Sequence, residues 1–157
     1  MKNKYFLITL FCITLSLVSC SNDDSTEPQS KNEMLTDKSW MVQSKIVTPS
    51  ISLGGMEISD ITMLDEEEVK SYIYKFSSDG TLVVKNSSEQ IILETSWGFN
   101  SDKTQLTLSD PLIFNYPVVG EIGLSTITLN SLTTTKMVGT IPSIYDGVNY
   151  VVTITFV

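Results

Sequence analysis

Apolar and polar residues alternate with a period of two through most of the chain from Trp40 to Phe156. Eight segments show this alternation, and they are rich in Val, Ile, Thr and aromatic residues, which suit the pleated, half-buried surface of a strand. The pattern therefore predicts an all-β fold with about eight strands. The residues expected to share one face within each segment are Trp40, Val42 and Ile46; Tyr72, Tyr74 and Phe76; Leu82 and Val84; Ile91, Leu93, Trp97 and Phe99; Leu106 and Leu108; Ile127 and Leu129; Met137, Gly139 and Ile141; and Tyr150, Val152, Ile154 and Phe156.

Short polar sequences separate most of these segments. Residues 77–80 (Ser-Ser-Asp-Gly) link the second and third segments, and Gly80 can adopt the positive φ of a tight turn. Residues 86–88, 100–103 and 146–147 separate later pairs in the same way. Because short connections join antiparallel neighbours, we expect a meander. A meander of eight strands leaves two exposed edges unless it closes, so the sequence predicts an up-and-down β-barrel, whose interior holds side chains or one small ligand.

Two connections are longer than a turn. Residues 48–68 contain Pro49 and two glycines, and SDITMLDEEEVK begins within them at Ser59. For this part we expect one or two helical turns with Ser59 or Asp60 as the N-cap. Residues 109–123 contain two prolines and two glycines, for which we expect an irregular loop or an edge strand with bulges.

Aromatic residues suggest both the core and a candidate site. We assign Trp40, Phe76 and Trp97 to the structural core, together with Gly80 at its turn. In contrast, Tyr116 and Tyr145 fall in the loop regions of this assignment. Binding residues concentrate in loops at the mouth of a rigid scaffold, so these two tyrosines are the candidate ligand-contacting residues.

The N-terminal sequence has the features of a secretory signal peptide. Lys2 and Lys4 provide a basic start, and residues 5–18 form an apolar stretch. This stretch is shorter than the ~20 residues that a transmembrane helix needs. We therefore expect residues 1–19 to be removed from the mature protein.

Residues 17–20 (Leu-Val-Ser-Cys) resemble the bacterial lipobox. The resemblance implies that Cys20 becomes the first residue of the mature chain and that its sulfur carries the lipid that anchors the protein in the membrane. A disulfide is disfavoured, because Cys12, the only other cysteine, lies in the segment to be removed. The alternative is an ordinary signal peptide followed by a cysteine at this place by chance.

The segment after the lipobox is polar and reads as a flexible tether over residues 20–33. Asp23 and Asp24 resemble the acidic export signal of surface lipoproteins of the Bacteroidetes type, which implies a position on the outer leaflet of the outer membrane. Ser25, in Asp24-Ser25-Thr26, resembles the O-glycosylation motif of the same bacteria.

Composition limits the chemistry that the chain can perform. The sequence has no His, and the mature chain would have no free thiol, which removes Ser-His-Asp and Cys-His catalysis and His-liganded zinc or haem. All ten basic residues are Lys, against eighteen acidic residues, so phosphate neutralisation and nucleic-acid binding are not expected. We expect no catalytic residue, no cofactor and no metal.

The most acidic stretch is residues 65–68 (Asp-Glu-Glu-Glu). With Asp60 it could supply oxygen ligands to Ca²⁺, but the spacing of a calcium-binding loop is absent. We therefore interpret this stretch as a solvated acidic turn. Glu94 is expected to face solvent, which argues against a pair of catalytic carboxylates.

Five motifs in order resemble the lipocalin-like lipoprotein domains of Bacteroidetes-type bacteria. They are LTDKSW at 35–40, YKFSSDGTL at 74–82, SWGF at 96–99, LTLS at 106–109 and ITLNSLTTTKMVGTI at 127–141. The resemblance covers residues 34–157 and implies an up-and-down β-barrel. Two features depart from the family pattern: Asp37 stands where Gly is usual, and Ser96-Trp97-Gly98 reverses the usual Gly-x-Trp.

Together these features predict a lipid-anchored outer-membrane protein, facing outward, with a lipocalin-like barrel at residues 34–157. The leading hypothesis is a non-enzymatic module that binds a small apolar molecule or a glycan. The alternative is a solid-core interaction protein that docks onto a protein partner in an envelope uptake or adhesion complex. An enzyme is the third hypothesis.

Overall fold

The computed structural model describes residues 29–116 and 120–157, and all structural statements below concern these residues. The predicted signal peptide, the lipidation site Cys20, the export signal at Asp23 and Asp24 and the glycosylation site Ser25 lie outside the described residues. Within the described residues, no helix has the length and apolar character needed to cross a membrane.

Strands dominate the described part of the chain, with two short α-helices and one 3₁₀ helix. The elements are α1 (Lys31–Thr36), β1 (Ser39–Leu53), β2 (Met56–Asp60), the 3₁₀ helix (Ile61–Leu64), α2 (Glu67–Lys70), β3 (Ile73–Phe76), β4 (Thr81–Lys85), β5 (Ile91–Phe99), β6 (Gln105–Tyr116), β7 (Gly120–Leu132), β8 (Met137–Tyr145) and β9 (Val148–Phe156).

Eight of the nine strands close into an antiparallel barrel. Strands β3 to β9 pair in sequence order, and β1 pairs with both β3 and β9, which closes the sheet. The eight predicted strand segments correspond to β1 and β3–β9, so the predicted up-and-down barrel of about eight strands is confirmed. Closure removes the free edges that an open meander would leave.

The two long connections are more regular than the sequence suggested. Strand β1 continues to Leu53 and turns through two glycines into β2, a hairpin that the sequence analysis missed. Asp60 caps the 3₁₀ helix as predicted, since its side chain accepts a hydrogen bond from the Thr62 backbone N–H. Of the two alternatives expected for residues 109–123, the irregular loop is wrong, because most of these residues belong to β6 and β7, which pair with each other. The edge strand with bulges is closer, since this pairing is irregular between Thr107 and Leu112 and the pairing of β6 with β5 covers Leu106–Leu108.

Inward-facing side chains from all eight barrel strands fill the lumen. Tyr74 packs edge-on against Phe156, with ring centroids 5.4 Å apart, and Phe76 packs in the same way against Trp97 at 5.5 Å. Trp97 is half-buried, and its indole N–H donates to the Ser77 carbonyl. The fully buried side chains include Trp40, Tyr74, Leu82, Leu106, Ile127, Met137, Ile154 and Phe156.

Helix α1 lies across one end of the barrel. Ser30 and Glu33 form a capping box that satisfies its first backbone N–H groups, and Leu35 is fully buried. The Leu35 carbonyl accepts a hydrogen bond from the buried Trp40 indole at 2.8 Å. Residues 31–33, which the sequence analysis placed in the tether, therefore belong to the helix.

A β-bulge in β1 reverses the expected alternation. Val42 pairs with Phe156 but Ser44 pairs with Thr155, so β1 has one residue more than β9 at this point. After the bulge, Lys45 faces the interior and Ile46 is on the outside, which makes the predicted inward position of Ile46 wrong. A second irregularity, where β5 pairs with β4, exposes Ile91 in the same way.

Candidate functional site

An open cavity of about 400 Å³ lies where β5 and β6 separate. The pairing of these strands covers Trp97–Phe99 with Leu106–Leu108, and beyond it β5 follows β4 while β6 follows β7. Residues 61–72, hereafter the strap, occupy the resulting space. The cavity is lined by Leu64, Asp65, Glu66, Val69 and Tyr72 of the strap, by Ile92 of β5, and by Leu112, Ile113, Phe114, Asn115 and Tyr116 of β6.

The strap is attached at a few points. Ile61 is fully buried, and the Thr62 hydroxyl accepts a hydrogen bond from the Lys45 backbone N–H at 2.6 Å. Further along, the Asn86 side-chain amide of the β4–β5 turn donates to Glu68 at 2.8 Å. Helix α2 buries none of its residues. The strap is therefore held by its first turn, by polar contacts and by the partly buried side chains of Leu64, Val69 and Tyr72, which pack against the core.

A buried polar triad joins the strap to the barrel wall. Lys45 Nζ lies 2.7 Å from each carboxylate oxygen of Asp65 and 2.6 Å from the Tyr116 hydroxyl. The Tyr116 hydroxyl in turn donates to Asp65. The side chains of Lys45 and Asp65 are 1% and 3% exposed. Asp65 therefore receives two buried donors, one from β1 and one from β6.

The surroundings of the triad combine an aromatic face with low solvent access. Lys45 Nζ lies 4.1 Å from the centre of the Phe114 ring, within range of a cation–π contact. Burial lowers the pKa of Lys45, against the opposing effect of Asp65. Burial and the hydrogen bond to Asp65 raise the pKa of Tyr116, so its hydroxyl stays a donor at neutral pH.

The rim of the cavity is acidic. Burial, together with the negative charges of Glu68 and Glu66, raises the pKa of Tyr72. Glu66 and Glu67 are exposed, as expected for a solvated turn, but Asp65 is not. The interpretation of residues 65–68 as a solvated turn is therefore wrong for Asp65, because its carboxylate pairs with Lys45 inside the barrel.

A second depression, of about 270 Å³, is polar and lies on the outside of the sheet. Glu94, which is exposed as expected, and Asp110 line it among hydroxyl side chains. The Asp110 backbone N–H donates to the Thr95 hydroxyl at 2.8 Å, and this hydroxyl donates to the Asp110 carboxylate. Across the described ranges, no group of three or more acidic, His or Cys side chains is placed to hold a metal ion.

The predicted site residues lie in different places. Tyr116 is the last residue of β6, not a loop residue, and its buried ring lines the cavity. Tyr145 is the last residue of β8 and is not part of the cavity lining; its ring packs over Gly120, which pairs with Tyr116. Lys45 and Asp65 were missed. The bulge in β1 turns Lys45 inward, which regular alternation does not predict, and Asp65 lies in an acidic stretch whose pattern is typical of the surface.

No protein-family model matches the chain, and no curated protein is significantly similar to it. The resemblance to lipocalin-like lipoproteins therefore stays a prediction, and a functional assignment depends on the barrel, the cavity and the triad. All three triad groups are hydrogen-bonded to one another, which fixes the strap against the barrel wall.

Proposed function

We propose that the protein is an outer-membrane lipoprotein, exposed at the cell surface, whose barrel binds a small molecule without catalysing a reaction. The ligand would be a molecule with an apolar body, or a glycan, seated in the cavity between the strap and β6. The observation that supports this proposal is the cavity itself, whose size falls within the ~300–1,000 Å³ range of small-molecule sites.

The character of the lining supports a binding role. Leu64, Val69, Ile92 and Leu112 supply apolar surface, and Asp65, Glu66, Asn115 and Tyr116 are the polar residues of the lining. The cavity presents apolar and polar surface in similar amounts, which suits a ligand that has both an apolar body and polar groups. Among the described residues, core side chains pack inside the barrel, and the cavity at its side offers space for a ligand.

The start of the described chain lies away from the cavity. Residue 29 precedes α1, and Lys31 donates to the Lys103 carbonyl in the turn that leads into β6. Strand β6 runs from this turn to Tyr116 at the cavity. The first described residues and the cavity therefore lie towards opposite ends of the barrel, so an anchor that precedes residue 29 would leave the cavity accessible.

Native mass spectrometry before and after incubation with an envelope extract tests the proposal. We expect a discrete added mass that is lost on denaturation. The variant Ile92→Trp places a large side chain at the cavity wall and should lose this mass. Ile144→Trp, at a position 73% exposed on β8, is the matched control and should keep it. A bare mass for the unaltered protein under both conditions would contradict a carrier role.

One observation favours the interaction protein as a second candidate. Ile144, Pro142, Val151 and Ile46 form an apolar strip on the outer surface of β8, β9 and β1, where Val151 pairs with Pro142. Exposed apolar patches mark docking surfaces when they are contiguous. A photo-cross-linker at Ile144 should then capture one discrete envelope partner, and Val151→Lys should prevent the capture.

A further inference from the structure

We infer that the ligand carries a carboxylate, which binds Lys45 and Tyr116 in the place that the Asp65 side chain occupies. This inference rests on the proposed binding function and names the chemical class of the ligand. The shared chemistry is a carboxylate attached to a body that fits the cavity. A fatty acid and a sugar acid both have it.

The donors are arranged around a carboxylate. Lys45 Nζ lies at the same distance, 2.7 Å, from both Asp65 oxygens, and the Tyr116 hydroxyl donates to one of them. These two donors come from the barrel wall, whereas the acceptor comes from the strap. Asp65 and Tyr116 also line the cavity. A ligand in the cavity thus lies next to the contact that a second carboxylate could take over.

The strap is less deeply buried than the strands of the barrel. Helix α2 has no fully buried residue and Glu66, the neighbour of Asp65, is exposed, while Leu64 and Val69 are partly buried against the core. Withdrawal of Asp65 alone would leave Lys45 buried against Phe114 without a counter-charge, which is strongly unfavourable. Replacement by a ligand carboxylate keeps the charge of the site unchanged. Displacement of Asp65 is therefore coupled to the binding of an anion. A ligand with a neutral or cationic end group would form no ion pair with Lys45.

Calorimetric titration of the purified protein with matched eight-carbon probes tests the charge requirement. We expect octanoate to bind about tenfold more tightly than octanol, because hydrogen bonds to charged groups are the stronger kind, and octylammonium to bind no better than octanol. The affinities of glucuronate and glucose are compared in the same way, because glucuronate is a sugar that carries a carboxylate and glucose is not charged. Tighter binding of octanoate than of glucuronate would identify the ligand as a lipid-like acid. Tighter binding of glucuronate would identify it as a sugar acid.

Variants of the strap test whether the Asp65 carboxylate competes with the ligand carboxylate for Lys45 and Tyr116, or only holds the strap in place. Asp65→Asn removes the competing charge while keeping the shape, so octanoate should bind about tenfold more tightly than to the unaltered protein. If Asp65 had a structural role alone, the same variant would bind octanoate less tightly. Glu67→Gln, an exposed strap position paired with Lys70 and outside the cavity, is the control and should bind octanoate as the unaltered protein does.

A double variant keeps the inference testable if Asp65→Asn does not fold. Lys45→Met with Asp65→Leu replaces the buried ion pair by apolar groups, so octanoate and octanol should then bind equally. Equal binding of octanoate and octanol by the unaltered protein would overturn the carboxylate inference and leave the proposed function standing. Binding of none of the five probes, together with a bare mass after incubation with envelope extract, would overturn both.

Discussion

Lys45 is the residue at which the barrel departs most from an ordinary apolar interior. A lysine is almost never fully buried unless its charge is paired, and here Asp65, Tyr116 and the Phe114 ring surround it. The ion pair is therefore not a simple gain in stability, because the cost of removing both charges from water offsets their attraction. What the pair does provide is a fixed position for the strap over the barrel wall.

The energetics of the pair give a prediction at this scale. Lys45→Met should lower the free energy of unfolding by about 3–5 kcal/mol, since it leaves Asp65 buried and uncompensated. The double variant Lys45→Met with Asp65→Leu should recover most of this loss, because apolar groups of similar volume replace the pair. Denaturant titration of both variants measures the difference.

Lys85→Met is the matched control for the single variant. Lys85 pairs with Glu89 at the surface, where the side chains are 40% and 74% exposed, so its loss should change the free energy of unfolding by less than about 1 kcal/mol. Equal destabilisation by Lys45→Met and Lys85→Met would show that Lys45 does not hold a buried charge in solution.

At the residue scale, the sequence predicted the apolar core better than the polar site. Trp40 and Phe76 are buried where the alternation places them, because each is apolar and in phase with its strand. Lys45 and Asp65 are polar residues in the interior, so hydropathy assigns both to the surface. Their burial follows from a contact between residues twenty positions apart, which a local pattern does not contain.

At the scale of elements, strand identity was predictable and strand phase was not. The eight segments with period two are strands because alternation matches the pleat of a sheet. The bulge near Val42 changes which residues face inward, although Ile46 would fit an unbulged strand better than Lys45 does. The phase is decided by pairing with β9 and by the Lys45–Asp65 contact, which are tertiary interactions.

Gly139 gives a prediction at the same scale. A small residue such as Gly139 or Gly98 leaves space beside its backbone that a ligand could use. In β8, however, a Cβ on Gly139 would come within 2.2 Å of Ile127 Cγ2, so the neighbouring strand already fills this space. Gly139→Ala should therefore destabilise the barrel by about 1–3 kcal/mol through overpacking, as measured by denaturant titration.

Two further variants test whether the clash with Ile127 causes the destabilisation by Gly139→Ala. Gly98→Ala should be tolerated, because no atom lies within 4 Å of its added Cβ. Ile127→Ala combined with Gly139→Ala should cost less than the sum of the two single variants, since removal of the Ile127 methyl relieves the clash. If the changes in the free energy of unfolding were additive, the contact with Ile127 would not be the cause of the destabilisation by Gly139→Ala.

At the scale of the whole molecule, closure was predictable and the cavity was not. Short turns between eight strands leave a barrel as the arrangement without exposed edges, and the strand order agrees. The cavity depends on where the pairing of β5 with β6 stops and on how the strap packs over the gap. Neither follows from periodicity, because both depend on contacts between distant segments.

Anchoring is a property of the whole protein and gives its own prediction. Cys20→Ala should abolish labelling by a radioactive or clickable fatty acid and release the protein from the membrane fraction, because the predicted lipid is the anchor. Cys12→Ala, within the predicted signal peptide, is the control and should label normally. A Cys20→Ala variant that still labels and still fractionates with membranes would contradict the lipoprotein assignment.

Hydrogen exchange with and without an envelope extract tests the central claim most directly, because it reports which surface a bound molecule contacts. The cavity assignment predicts altered exchange in the strap and at residues 91–93 and 112–116, with the outer face of β8 and β9 unchanged. Altered exchange confined to β8 and β9, around Ile144 and Val151, would contradict the cavity as the binding site and favour a docked protein partner.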